Sequence, residues 1–179
     1  MSRADLWPDF REEDLLLQDE SLVVVRKPCG VASQAADPDR PDDVVTRLSR
    51  HLGASYLGVH QRLDRDTSGL MVFARAKEAN ASLAEQFEGR TVEKVYVAAV
   101  EGWSGRDRFT LDDHLAKGDD GLMEVVRAGH RGAVRALTEG RVLRRSGRRA
   151  LLELRLRTGR THQARVQLAH AGAPIAGDT

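Results

Sequence analysis

Cysteine is almost missing from this sequence: Cys29 is the only one in 179 residues. That excludes a disulfide within the chain, and no Cys/His cluster has zinc-site spacing. Cys29 follows a proline, and we read it as a small buried filler rather than a nucleophile. No apolar run approaches the roughly 18 residues of a membrane-spanning helix. The opening stretch, MSRADLWPDFREEDLLL, is acidic and lacks the apolar segment of a secretory signal. These absences lead us to expect a cytoplasmic protein. We also find no internal repeat, no low-complexity segment and no linker long enough to divide the chain.

What is present suits a globular fold: 41% hydrophobic and 31% charged residues. The net charge of +1 hides an uneven distribution. Between Arg127 and Arg165 there are twelve arginines, no lysine and two acids, Glu139 and Glu153. That segment carries about +10, so the remainder carries about −9. The first fifty residues hold eleven acids and seven bases. Arginine-preferring codons explain arginine over lysine but not the shortage of acids. We therefore expect a surface facing a polyanion.

Residues 1–20 read as a lead-in arm. SLVVVRKP is a β-branched run closed by proline, hence a strand ending near Arg26. Asp42 or Asp43 caps a predicted helix through VVTRLSRHLG, stopped at Gly53. SYLGVHQRLDRDTSG is mostly loop after a short strand, and LMVFARA is a buried strand. Lys77 to Phe87 is a predicted helix, with Ala81, Leu83, Ala84 and Phe87 apolar and Gly89 beyond. EKVYVAAVEG, GLMEVV, AVRALTEGRVL and ALLELRLRTG read as strands, the last two joined by the RRSGRR turn. A final helix of about ten residues follows GRTHQ and ends at Gly172. The elements keep no steady β-α-β rhythm. The expected class is α+β, with a mixed, largely antiparallel sheet flanked by helices.

The densest chemistry lies in Arg62-Leu63-Asp64-Arg65-Asp66-Thr67-Ser68-Gly69-Leu70. Two carboxylates, two guanidiniums and two hydroxyls stand between apolar strands, where unpaired charge is costly. RLDRDTSGL resembles the signature of the RluA-type pseudouridine synthases. Three further segments resemble that family's motifs in the same order. They are Val25-Arg26-Lys27-Pro28-Cys29-Gly30, Lys94-Val95-Tyr96-Val97-Ala98, and Thr158-Gly159-Arg160-Thr161-His162-Gln163-Ala164-Arg165-Val166-Gln167. The last continues into Gly172, Pro174-Ile175 and Gly177-Asp178. The resemblance covers roughly residues 22–178.

The resemblance implies isomerisation of uridine in ribosomal or transfer RNA, without cofactor or metal. Asp64 is then the catalytic carboxylate, and three routes are open to it: attack on the sugar, attack on the base, or removal of a sugar proton. Arg165 is implied as its cationic partner, opposing the pKa rise that burial causes. Tyr96 lies against the uracil ring, and its phenol assists the C5 proton. Arg62 fills the place of the flipped base, and Ile175 forms an apolar wall or is a plain core residue. Thr67, Ser68 and Gly69 shape the loop. His60, His162 and His170 read as structural or RNA-facing.

Gln61 stands where many relatives carry the histidine before Arg-Leu-Asp, and Gln34 replaces another family histidine. The chain stops at Thr179, where the family continues, so we expect a shortened C-terminal end. We also expect no preceding S4 domain, and a monomer. RNA contact then falls to the catalytic domain, residues 21–179, and chiefly to Arg144, Arg145, Arg148, Arg149 and Arg160. Two rival readings are a non-catalytic RNA-binding protein of the same fold and a glycosidic hydrolase pairing Asp64 with Asp66.

Overall fold

Val23 and Val25 alternate inward along a strand, and the third inward position is Lys27. This strand organises the first of two compact units, 1–91 and 92–179, seen in a computed structural model that describes residues 12–35 and 42–178.

In the first unit, a 3-10 turn at Glu12–Asp14 leads into β1, Leu15–Gln18. β2 (Leu22–Lys27), β3 (Gly58–Val59) and β4 (Gly69–Ala74) complete an antiparallel sheet of order β1-β2-β4-β3. Residues 15–18 of the predicted arm therefore pair with β2, while residues 1–11 lie outside the described set. The Asp19 carboxylate takes the backbone N–H groups of Leu22 and Ser21, which hold it below its usual pKa and close the β1–β2 turn. Helix α1, Val44–Leu52, starts where expected: Asp43 accepts from Thr46 N at 3.1 Å and from Thr46 Oγ1 at 2.9 Å. It stops at Gly53, whose φ of 60° is left-handed. Its buried Val44 and Leu48 pack on Val23, Val25, Val31, Met71 and Phe73. Each such large apolar side chain contributes about 1.5–3 kcal/mol on full burial. Helix α2, Lys77–Glu88, buries only Leu83 fully.

The second unit is a five-stranded antiparallel sheet of order β5-β9-β8-β6-β7. Its strands are β5 (Val95–Glu101), β6 (Arg108–Lys117), β7 (Met123–Val126), β8 (Val134–Ser146) and β9 (Arg149–Leu156). Helix α3, Gln163–His170, follows. β6 went unread in the sequence. Ala98, Val100, Ala150, Leu152, Leu154, Leu168 and Ala173 form the core. Gly140 on β8 faces Phe109 on β6, and a Cβ there would stand 2.2 Å from the ring. Phe109 in turn packs on Trp103 at 4.2 Å. The class is α+β as expected, with two antiparallel sheets rather than one.

Candidate active site

In the first unit, Asp64 lies half-buried in the loop between β3 and β4, and its backbone is pinned on both sides. Ser33 Oγ accepts from Leu63 N at 2.9 Å and donates to Leu63 O at 2.7 Å. On the other side, Gly30 N donates to Arg65 O at 2.9 Å. Lys27 Nζ reaches the same carbonyl at 2.9 Å, and also Val31 O at 2.7 Å and Pro28 O at 2.9 Å. All three ammonium hydrogens thus find carbonyls, which makes a fully buried lysine tolerable. Burial still lowers its pKa from 10.5 to about 8, against the opposing pull of Cys29, Asp66 and Asp64. Thr67 N donates to Asp64 O at 3.1 Å and closes the turn. The KPCG segment is therefore the floor of the RLDRD loop. Sequence reasoning quoted Lys27 and passed over Ser33. The available signal was a lysine in the inward register of a β-branched strand.

Arg62 is exposed at the loop surface. Cys29 is exposed too, not the buried filler expected, because it sits at the turn after Pro28 rather than on the inward face of β2. His60 bonds Asn80 Oδ1 at 2.9 Å and stacks on Phe87, a structural placement. A Cβ on Gly58 would stand 2.0 Å from that same Asn80 oxygen, so a larger residue there would displace the Asn80 amide.

The second unit holds Tyr96, Arg165 and Ile175. Tyr96 on β5 and Ile175 are both half-buried against the second core. Ile175 bridges to Val100, with Ala176 N bonding Ala99 O at 2.8 Å and Glu101 N bonding Pro174 O at 3.0 Å. Arg165 projects from α3. Its Nε lies 2.9 and 2.8 Å from the two Asp178 carboxylate oxygens, and its Nη2 lies 2.7 Å from one of them.

A buried amide network fastens α3 to the sheet. Gln167 Nε2 donates to Asp113 Oδ2 at 2.7 Å, Ala136 O at 3.0 Å and Leu111 O at 3.2 Å, while its oxygen accepts from Thr138 Oγ1 at 2.7 Å. Gln163 Nε2 reaches Thr138 Oγ1 at 2.9 Å and Leu137 O at 3.2 Å, and its oxygen accepts from Thr158 Oγ1 at 2.7 Å and Arg160 N at 3.0 Å. His162, at the start of α3, has a φ of 53°, uncommon for a residue with a side chain.

The arginine-rich segment is less basic in space than along the chain. Arg135 pairs with Asp112, Arg141 with Glu153, Arg145 with Asp107, Arg149 with Glu101 and Arg157 with Glu139, at 2.6–3.1 Å. These guanidiniums hold Asp112, Glu139 and Glu153 below the usual carboxylate range, chiefly through hydrogen bonds. Of the five RNA-contact candidates, Arg145 and Arg149 are engaged in this way, and Arg160 Nε bonds Arg135 O at 3.0 Å. Arg144 and Arg148 are exposed in and beside the β8–β9 turn. Among the described residues, no group of three or more His, Cys, Asp or Glu could hold a metal ion.

The family model for RNA pseudouridylate synthase matches residues 21–170. The chain belongs to the RNA pseudouridylate synthase family. It is 33% identical over 178 residues to an uncharacterized RNA pseudouridine synthase, YhcT, of Bacillus subtilis, covering 96% of this chain and 58% of that protein. It is 35% identical to ribosomal large subunit pseudouridine synthase D of Xylella fastidiosa, covering 98% of this chain and 54% of that one. The chain thus spans a little over half the length of these curated relatives. A human structure, RNA pseudouridylate synthase domain containing 4, superposes with a TM-score of 0.77 at 31% identity, covering 93% of this chain and 68% of that one. These pseudouridylate synthase relatives bear out the family read from RLDRDTSGL and its companion motifs.

Proposed function

We propose that this chain isomerises uridine in structured RNA to pseudouridine, with Asp64 opening the reaction. The observation that carries the reading is the half-buried Asp64 on a backbone fixed at Leu63 and Arg65. A reacting carboxylate gains most when its position is set before substrate arrives. In the reaction the bond from C1′ to N1 breaks, the uracil turns, and C1′ joins C5. The C5 proton leaves to solvent and N1 is protonated, so atoms balance without a co-reactant. Tyr96 stacks on the base, an interaction of about 1–3 kcal/mol, and assists the C5 proton. Arg165 supplies the cation that favours the ionised carboxylate, Arg62 fills the gap left by the flipped base, and Ile175 walls the uracil. Ribosomal RNA is the first substrate to test, given the Xylella relative's name.

The test is tritium release from RNA labelled at C5 of uridine, using large-subunit ribosomal RNA and transfer RNA. Release with no free uracil supports the isomerase. Free uracil would indicate a hydrolase, and RNA binding without release would indicate a binding protein. A second expectation concerns affinity. Arg144→Ala with Arg148→Ala will weaken RNA binding, and the slope of log affinity against log salt will fall by about 0.7–0.9 for each phosphate that is no longer neutralised. Arg145→Ala removes an arginine already held by Asp107 and will change binding less. Filter binding between 50 and 200 mM salt, on the order of the range where such slopes are read, checks both.

A further inference from the structure

We propose that Asp178 is a positioning residue that presets the Arg165 guanidinium. The inference rests on the catalytic reading of Arg165 and adds what orients it.

Three roles in the second unit are referred to one strand. Tyr96 lies on β5 itself. Ile175 is fixed to β5 through the Val100 bridge and the Ala176–Ala99 and Glu101–Pro174 bonds. The same turn ends at Asp178, whose N donates to Ile175 O at 3.1 Å after Gly177 passes through a φ of 80°. The turn attached to β5 therefore carries a carboxylate that grips Arg165 through Nε and Nη2 together. Two planar groups meeting side by side fix the direction of the guanidinium plane, not only its charge. From its other side α3 is anchored by Gln163 and Gln167. The backbone of Arg165 is held by the amide network, and its fork is held by Asp178. An unheld arginine samples many rotamers, and each turnover would begin with a search.

A partly exposed pair adds little to fold stability. Its value lies in geometry, and misplacement of a reacting group by an ångström costs on the order of a hundredfold in rate. Asp178→Asn is therefore expected to lower kcat about tenfold to a hundredfold, with KM for RNA and Tm close to wild type. Asp178→Glu, which keeps the carboxylate, will recover part of the rate. In an Arg165→Lys background the fork is already gone, so Asp178→Asn should add less than about twofold.

A second readout is independent of turnover. The Arg165 Nε–H signal in an NMR spectrum will be protected from exchange in the wild type and will lose that protection in Asp178→Asn. Wild-type kcat in Asp178→Asn, or any increase, would overturn the proposal, as would multiplying effects in the double variant or a large fall in Tm. If Arg165→Lys keeps full activity, the catalytic reading of Arg165 fails and this inference with it. If Arg165→Lys is impaired while Asp178→Asn is not, only this inference fails.

Discussion

Asparagine at position 64 will reduce tritium release by on the order of 10³-fold or more, because the proposed reaction opens on this carboxylate. The substitution keeps the shape of the side chain and takes away its charge. The bonds described for this loop run through its backbone. Leu63 is held by Ser33, Arg65 O by Gly30 and Lys27, and Thr67 N bonds the Asp64 backbone oxygen. The loop backbone should therefore keep its place, and Tm is measured beside the rate to separate a change in fold from a change in chemistry. RNA affinity should stay near that of the wild type, since the flanking arginines remain. Asp66→Asn gives the contrast. Asp66 is exposed, and the isomerase reading gives it no chemistry, so its rate should stay within a few-fold of wild type. If the two variants were equally inactive, paired-carboxylate chemistry would replace the single catalytic carboxylate. Tritium release measured beside RNA binding and Tm separates these outcomes.

Local signals were legible where one residue decides one local structure. Asp43 and Gly53 bracket α1 because a carboxylate can take the first free N–H groups and glycine accepts a left-handed exit. The valine run of β2 could be read, and so could the family, once the four motifs stood in order. β6 was lost because Asp112-Asp113-His114 breaks its apolar alternation. Asp113 turns inward only because Gln167, 54 residues later, donates a hydrogen bond to it. The arginine surplus is partly neutralised in space for the same reason. Arg135, Arg145 and Arg149 find acids 23, 38 and 48 residues earlier, across neighbouring strands or from the β5–β6 connection, so a count along the chain sees charge that the sheet has paired. Lys27 is the clearest case. A lysine is expected at the surface, and nothing local announces that a carbonyl at Arg65 will receive it.

That lysine carries the second large effect. Lys27→Met fills similar volume but leaves Val31 O without its ammonium donor, and Arg65 O with Gly30 N alone. An unsatisfied buried carbonyl costs about 1–3 kcal/mol. The lost burden of burying a charge offsets part of this, so a net loss of about 2 kcal/mol is expected, seen as a lower Tm. Tritium release should fall further than stability does, because the freed backbone is the one carrying Asp64. The wild type should also show a basic limit to activity. With the Lys27 pKa at about 8 in the fold, the ammonium loses a proton as pH rises through that value. A neutral amine has two N–H groups for three carbonyls, so the grip on Arg65 O or Val31 O weakens. Stability moves the other way. The unfolded lysine titrates near 10.5, so between about 8 and 10.5 the unfolded chain binds more protons and raising the pH favours folding. Activity should thus decline above pH 8 while the contribution of this group to stability rises. Lys27→Met should lack that limb, its low rate independent of pH in this window. Rates and Tm measured in parallel from about pH 6 to pH 10 would show the two curves parting. A wild-type rate that holds to about pH 10 would mean that Lys27 keeps its proton and that the loop is not controlled by it.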